Sequence, residues 1–136
     1  MEIGTYFFRD DLFYSKTHEW VKIEDDICII GIDEYSQREI GEIAYIELPA
    51  IGTNVKQFGL LCQIESVKAV LDIFSPMSGT VIETNKEIEN SPDLLNAKPY
   101  DSWICKIKYS ELGEKINLMN INEYTEFIKG SINKLI

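Results

Sequence analysis

The sequence has little of the chemistry that enzymes and metal centres require. His18 is the only histidine, so no second imidazole is available for a metal site or for an ordinary nucleophile–base pair. The sequence also lacks the G-x-S-x-G elbow, the G-x-x-x-x-G-K-[ST] phosphate loop and the G-x-G-x-x-G dinucleotide turn. The acidic stretches 24–26 and 87–90 are typical of solvated turns. We therefore predict no catalytic residue, no metal site and a chain that is not itself an enzyme.

Long apolar runs and an excess of positive charge are missing as well. No stretch approaches the roughly 18 consecutive apolar residues of a membrane span, and MEIGTYFFRDDLFY lacks the basic start and apolar middle of a signal peptide. With 13 Lys and Arg against 23 Asp and Glu, the formal net charge of −10 repels phosphate backbones and favours basic partner surfaces. We expect no membrane, no nucleic acid and a cytoplasmic location, or a mitochondrial one if a leader has been removed.

Cysteine is scarce. Cys28, Cys62 and Cys105 are an odd number of thiols with no C-x-x-C spacing. Each lies in an apolar, strand-like run, where a free cysteine behaves as a small hydrophobic residue. We predict three reduced, structural thiols.

Short apolar runs separated by turn residues make up most of the chain. The 136 residues suit a single domain, 1–136, with an N-terminal extension over 1–13. The spacing of the runs is typical of short strands in a small barrel or sandwich. The predicted strands are 27–30, 43–48, 60–64, 70–74, 80–84 and 103–109.

Helical patterns are confined to three places. Asp33 is a predicted cap for the segment EYSQREI, which Gly41 ends, and Ser91-Pro92 precedes a helical turn at 93–95. At the C-terminus, Asn120 or Asn122 caps a predicted helix over 120–135, because its apolar residues, the last of them Leu135, recur at helical intervals.

Lys68 lies in IESVKAV, between two similar segments, GEIAYIELPAIGTNV and LDIFSPMSGTVIETN. Two such halves suit a sheet pair with approximate two-fold symmetry, which places Lys68 at the exposed tip of a connecting hairpin. A free lysine has a pKa of about 10.4 and is a hydrated, poor nucleophile at neutral pH. The small neighbours Ser66 and Ala69 leave Lys68 open to a modifying enzyme, and Glu65 favours its ammonium form.

At these residues the sequence resembles the H-protein of the glycine cleavage system, from about Tyr14 to about Lys129. The resemblance rests on YSKTHEWVKIEDD, IGIDEYSQREIGEIAYIELPAIGTNV, ESVKAVLDIFSPMSGTVIETN and SPDLLNAKPYDSWICKIK, in this order. It implies a mainly β fold, a barrel-sandwich hybrid of two antiparallel sheets like lipoyl and biotinyl domains, with short helices and a C-terminal helix. It also implies lipoic acid in amide linkage to Lys68.

The resemblance implies a carrier in glycine catabolism and one-carbon metabolism, whose lipoyl arm shuttles an aminomethyl group between three enzymes. These are glycine decarboxylase, aminomethyltransferase and dihydrolipoamide dehydrogenase, and a lipoate ligase or a lipoyl/octanoyl transferase would attach the lipoyl group to a monomeric carrier. The positions that match the family's functional residues are Lys68 as the lipoyllysine, Glu65, Ser66 and Ala69 as the motif around it, and Glu19, Asp72 and Thr17 in a cleft for the loaded arm.

Two departures from the family pattern leave other readings open. The segment Pro99–Trp103 is one residue shorter than the family's P-Y-x-x-x-W, and Glu39 stands where some members have histidine. These changes keep open a lipoyl carrier for another pathway, such as sulfur oxidation with a heterodisulfide-reductase-like complex or lipoyl relay. A biotin carrier is disfavoured because Val67 and Ala69 flank the lysine, where biotin carriers usually have methionines. An interaction domain with an unmodified Lys68 is the remaining alternative.

Overall fold

The computed structural model describes residues 1–133, and residues 134–136 lie outside the described part. The strands are β1 (Glu2–Ile3), β2 (Tyr6–Phe7), β3 (Phe13–Tyr14), β4 (Glu19–Glu24), β5 (Ile27–Ile32), β6 (Ile43–Glu47), β7 (Asn54–Val55), β8 (Leu60–Ser66), β9 (Val70–Phe74), β10 (Gly79–Thr84) and β11 (Cys105–Tyr109). The helices are α1 (Glu34–Ile40), α2 (Lys86–Asn90), α3 (Leu94–Ala97), a 3₁₀ helix (Leu112–Asn117) and α4 (Ile121–Asn133).

Two antiparallel sheets form the body of the fold. One has six strands in the order β3-β4-β5-β11-β10-β7, and the other has three in the order β6-β8-β9. Each of the two similar segments of the sequence contributes one strand to each sheet: β6 and β9 flank β8, and β7 pairs with β10. The mainly β prediction is confirmed. A third, two-stranded sheet, β1-β2, lies in the extension and was not predicted.

The main core lies between the two sheets and is built from alternating strand positions. Ile30 and Ile107 from the larger sheet and Ile64 and Ile73 from the smaller one have no exposed surface. All three cysteines are buried in this core, as predicted. Burial raises the pKa of the Cys28 and Cys62 thiols to about 12, and that of Cys105 well above its ordinary value.

A second, aromatic core joins the two ends of the chain to α1. The rings of Tyr14 on β3 and Tyr124 on α4 stack with centroids 4.3 Å apart, and Phe8 meets Tyr124 edge to face at 5.5 Å. The members of this cluster are Phe8, Leu12, Tyr14, Trp20, Tyr35, Tyr124 and Ile128. The N-terminal extension is therefore a packed part of the domain.

Most predicted helix boundaries hold. The Asp33 carboxylate accepts the Ser36 N–H at 2.8 Å at the start of α1, and Gly41, with φ of 83°, ends that helix. The C-terminal helix begins with a reciprocal cap, in which Asn120 and Glu123 each accept the other's backbone N–H. It runs to Asn133, and Leu135 lies outside the described residues. Helix α2, capped by Asn85, was missed because five residues give no readable period.

Among residues 1–133, no helix is long and apolar enough to cross a membrane.

Gly31 on β5 lies opposite Trp20 on β4, and a Cβ at Gly31 would come within 2.3 Å of Trp20 Cζ2. We expect Gly31→Ala to lower the free energy of unfolding by about 1–3 kcal/mol, because the buried Trp20 ring cannot move without repacking. Urea denaturation is the measurement. Gly113→Ala is the matched control, since no heavy atom lies within 4 Å of a Cβ there, and equal stabilities of the two variants would contradict this packing.

Candidate functional site

The tip of the β8–β9 hairpin is an ordered turn centred on Lys68. The strands are last paired at Glu65 and Val70, and the Ser66 N–H donates to the Ala69 carbonyl at 2.9 Å. The Ser66 hydroxyl oxygen then accepts the N–H groups of Lys68 at 3.2 Å and Ala69 at 3.1 Å. One serine side chain thus fixes the backbone of Lys68 and Ala69 at the tip.

The tip rests on the end of α1, and the Lys68 side chain is exposed. The Val67 N–H donates to the Glu42 carbonyl at 3.2 Å. A Cβ at Gly41 would lie 3.3 Å from Lys68 Cε, so the lysine stem runs across the bare glycine backbone. The absence of a side chain at Gly41 therefore permits both the positive φ at the end of α1 and the close passage of the lysine stem.

A small cleft opens beside this tip, between α1, β9 and the start of β4. Its volume is about 180 Å³, and we call it the tip cleft. Its lining is mainly apolar, with one carboxylate, and consists of Thr17, His18, Tyr35, Ser36, Glu39, Ile40, Ala69 and Leu71. A second hollow of about 260 Å³ adjoins it at Thr17 and is lined also by Lys16, Phe58 and Phe74.

Glu19 lies behind Thr17 and is 1% exposed. Its carboxylate accepts the Ser15 hydroxyl at 2.6 Å, the Thr17 hydroxyl, and the Phe74 N–H at 3.3 Å. Burial raises the pKa of Glu19 to about 7, although these hydrogen bonds oppose the shift. A carboxyl group of this kind holds its proton to a higher pH than an exposed glutamate does, and a nearby cation would favour its ionised form.

The other predicted site residues lie apart from this buried acid. Asp72 is exposed and accepts the Gln63 amide N–H at 2.7 Å, on the face of the small sheet opposite the buried Ile73. Glu65 is exposed on the neighbouring strand. Thr17 and Glu19 are thus in direct contact, Ser66 and Ala69 frame Lys68, and Asp72 is held by Gln63 outside the lining of the tip cleft.

His18 lines the tip cleft and belongs to a hydrogen-bond network with the buried Tyr124 and Asp33. Its Nδ1 lies 2.7 Å from the Tyr124 hydroxyl, which donates to the Asp33 carboxylate. Burial lowers the pKa of His18 to about 4 and raises that of Asp33 to about 7. When the Tyr124 hydroxyl donates its proton to Asp33, a neutral His18 contacts the tyrosine oxygen as a donor by carrying its ring proton on Nδ1. His18 is a structural residue in this arrangement.

Several residues that position the site were missed from the sequence. Asn96 on α3 donates to the Gly41 carbonyl at 2.8 Å and accepts the Ile43 N–H at 2.9 Å, so it holds the chain on both sides of Glu42. Tyr35 and Leu71 form walls of the tip cleft. Gly41 carried a usable signal as a helix end, whereas Asn96 acts across more than fifty residues of sequence and has none.

Within residues 1–133, no group of three or more His, Cys, Asp or Glu side chains converges as a metal site would require.

Comparison with known proteins finds the family that the motifs predict. The family model "Glycine cleavage H-protein" matches residues 12–131. A relative from Pyrococcus abyssi named "Probable glycine cleavage system H protein" is 46% identical over 131 residues, which cover 95% of this chain and 98% of the relative. A "Glycine cleavage system H protein" from Leptospira biflexa is 40% identical over 120 residues, covering 88% of this chain and 92% of the relative.

A solved structure shows the same fold. The crystal structure of a glycine cleavage system H protein from Mycobacterium marinum matches with a TM-score of 0.81, covering 91% of this chain and 98% of that chain. The sequence identity is 24%, so this likeness concerns the fold alone. It confirms the predicted barrel-sandwich hybrid of lipoyl-domain type.

Ser66→Ala removes the acceptor of two backbone N–H groups at the tip. We expect the amides of Lys68 and Ala69 to exchange hydrogen about two- to tenfold faster, the effect of losing one net hydrogen bond each. NMR-detected hydrogen exchange measures this. Ser66→Thr retains the hydroxyl and should retain slow exchange, and identical rates in all three proteins would show that the hydroxyl does not order the tip.

Glu19 makes stability depend on pH. Because its pKa in the folded protein, about 7, exceeds the ordinary 4.5, the folded state binds more protons in this window. The stability it contributes is complete below the lower value and is lost as pH rises through the upper one. We expect Glu19→Gln to remove part of this decline, on the order of 2–3 kcal/mol at most.

The measurement is urea denaturation at both ends of the window, with Glu47→Gln as an exposed control. Asp33, whose pKa is raised in the same way, leaves a residual slope in every variant. If the free energy of unfolding of Glu19→Gln fell with pH as steeply as that of the wild type, Glu19 would titrate at its ordinary pKa in the folded protein.

Proposed function

The chain belongs to the glycine cleavage H-protein family, and from this premise we propose that it is the lipoyl carrier of a glycine cleavage system. Lys68 carries lipoic acid in amide linkage, and the attached dithiol arm passes an aminomethyl group among glycine decarboxylase, aminomethyltransferase and dihydrolipoamide dehydrogenase. The chain itself is not a catalyst in this scheme. The single observation that carries the proposal is the exposed Lys68 on a turn ordered by Ser66, with its stem laid across Gly41 beside a cleft.

The tip presents one lysine for modification. The modifying enzyme would be a lipoate ligase or a lipoyl/octanoyl transferase. Such an enzyme binds the backbone around the target amine, and the ordered turn presents that backbone in one conformation. Ser66 and Ala69 keep side-chain bulk away from Lys68, and Val67 projects with 80% of its surface exposed. Formation of the amide removes one positive charge, which takes the formal net charge from −10 to −11.

The lining of the tip cleft combines apolar side chains with a carboxylate, which suits a hydrocarbon arm that ends in an amine. Tyr35, Ile40 and Leu71 supply apolar walls for a hydrocarbon chain. Thr17 and Glu19 supply oxygen atoms for an amine at its end. The Thr17 hydroxyl donates to the Glu19 carboxylate and covers it. A cation can therefore reach Glu19 only after the Thr17 side chain rotates away. A bound ammonium group would then draw a proton off Glu19, since opposite charge favours the ionised carboxyl.

Asp72 has a less direct role in this proposal. It is exposed on β9, and its carboxylate is engaged by Gln63. It contributes negative potential near the arm, together with the exposed Glu65 and Glu39. The net charge of −10 steers the carrier toward basic surfaces around partner active sites. A tethered arm then visits each partner at high effective concentration.

A second candidate is an H-protein-like lipoyl carrier for another pathway, such as sulfur oxidation with a heterodisulfide-reductase-like complex or lipoyl relay. The observation that favours keeping it is Glu39, whose side chain lines the tip cleft and adds a carboxylate there. Glycine–bicarbonate exchange by purified glycine decarboxylase separates the two. Stimulation by the lipoylated protein supports glycine cleavage, and its absence favours the other pathway.

We expect the protein, expressed with lipoic acid and a competent ligase, to gain the mass of one lipoyl group at Lys68. Lys68→Arg should keep the fold and lose the adduct, because arginine retains the charge but has no amine that can be acylated. Intact-mass analysis with peptide mapping measures this. Lys56→Arg is the matched control and should be modified like the wild type. An unmodified wild-type mass would overturn the carrier assignment.

A further inference from the structure

Residues 1–11 precede the region that the family model matches, yet they are folded against the site. Strands β1 and β2 form a hairpin in which Glu2 pairs with Phe7 and Ile3 with Tyr6. Gly4, with φ of 60°, allows the tight turn between them. Phe8, which follows β2, is fully buried in the aromatic core. The hairpin is therefore anchored at its base in the aromatic core, and the rest of it is free to contact α1.

One set of contacts fixes the hairpin to Arg38 in the last turn of α1 and to Tyr35 in its first turn. The Arg38 guanidinium donates to the Thr5 carbonyl at 3.1 Å and to its hydroxyl at 3.2 Å. The same guanidinium lies 4.2 Å from the centroid of the Tyr6 ring. Tyr6 in turn contacts Tyr35, with ring centroids 5.5 Å apart. Tyr35 lines the tip cleft, so the hairpin touches the back of a cleft residue.

A second set of contacts reaches the start of α1 through Tyr100. The Tyr100 hydroxyl donates to the Phe7 carbonyl at 2.6 Å and accepts the Glu34 N–H at 3.3 Å. The Phe7 and Tyr100 rings meet edge to face at 5.9 Å. Tyr100 belongs to the segment Pro99–Trp103, which connects α3 to β11. The hairpin thus holds α1 at both ends, once through Arg38 and once through Tyr100.

Helix α1 needs such support because it has only seven residues. A helix this short has little stability of its own and depends on tertiary contacts. It supplies Tyr35, Ser36, Glu39 and Ile40 to the tip cleft, and Gly41 at its end carries the Lys68 stem. A change in the position of α1 would therefore alter both the cleft and the resting place of the arm.

We propose that the N-terminal hairpin is a brace that fixes α1, and that Tyr6 and Arg38 act as positioning residues for the group carried on Lys68. The proposal rests on the proposed function for its consequence, the retention of a loaded arm. The brace keeps the Tyr35 and Ile40 wall against the arm, so that water reaches the aminomethyl group less often. Loss of that group is a hydrolysis: water cleaves the carbon–sulfur bond and gives the free thiol, formaldehyde and ammonium.

Two measurements test the brace in the full chain. The first is hydrogen exchange of the α1 amides in the unmodified protein. The second is the half-life of the aminomethyl group on the lipoylated, loaded protein. Tyr6→Ala removes the contacts with Arg38 and Tyr35. Arg38→Gln removes the guanidinium from a more exposed position, so this variant should disturb folding less. Tyr6→Phe keeps the ring and is the conservative variant. Tyr109→Ala, a half-buried tyrosine on β11, controls for general destabilisation.

We expect Tyr6→Ala and Arg38→Gln to speed exchange in α1 and to shorten the half-life about two- to tenfold. Tyr6→Phe should keep the exchange rates in α1 and the half-life at their wild-type values. Tyr109→Ala should leave the half-life unchanged, and should speed exchange in α1 no more than its loss of global stability requires. Unchanged exchange in α1 would overturn the brace. Faster exchange with an unchanged half-life would overturn the positioning role. Failure of the wild type to be lipoylated or loaded would instead count against the proposed function, while the exchange comparison would still decide whether the hairpin braces α1.

Discussion

The site depends on the hydrogen bonds of one buried residue, Asp33. It accepts the Ser36 N–H at the start of α1 and the Tyr124 hydroxyl from α4, while its backbone N–H donates to the His18 carbonyl at 3.2 Å. Three separate parts of the chain meet at this fully buried group. Because a buried polar group is costly when it loses a partner, the three parts must be placed together or not at all. The position of α1, and with it the support under Lys68, follows from that requirement.

Glu19 makes a comparable link between the two sheets. It belongs to β4 in the larger sheet, and it accepts the Phe74 N–H of β9, at the edge of the smaller one. An edge strand would otherwise expose this donor. The same carboxyl group is the acid we propose for the amine of the loaded arm. The site therefore uses a group whose burial is unfavourable in its charged form, which is a common way in which function and stability compete.

The parts of this arrangement that could be predicted from the sequence are local. The hairpin tip at Lys68, the Asp33 cap and the Gly41 helix end each depend on a few neighbouring residues, and each was predicted where it lies. The burial of Glu19 could not be predicted, because its partner on β9 is fifty-five positions away. The hairpin of residues 2–7 has strands of only two residues, too short to show alternation. Its contacts with Tyr35 and Tyr100 depend on the folded structure and leave no pattern in the chain.

The burial of the three thiols has a consequence for a protein proposed to carry a cyclic disulfide. Exchange between a thiol and a disulfide requires a thiolate that can reach a sulfur atom. With pKa values of about 12 for Cys28 and Cys62, and with burial raising the pKa of Cys105 well above its ordinary value, almost no thiolate is present at neutral pH. All three sulfur atoms are also enclosed between the sheets. The three thiols of the protein are therefore poorly suited to reduce a disulfide carried on its surface, and such a disulfide would keep its oxidation state until an external reductant reached it.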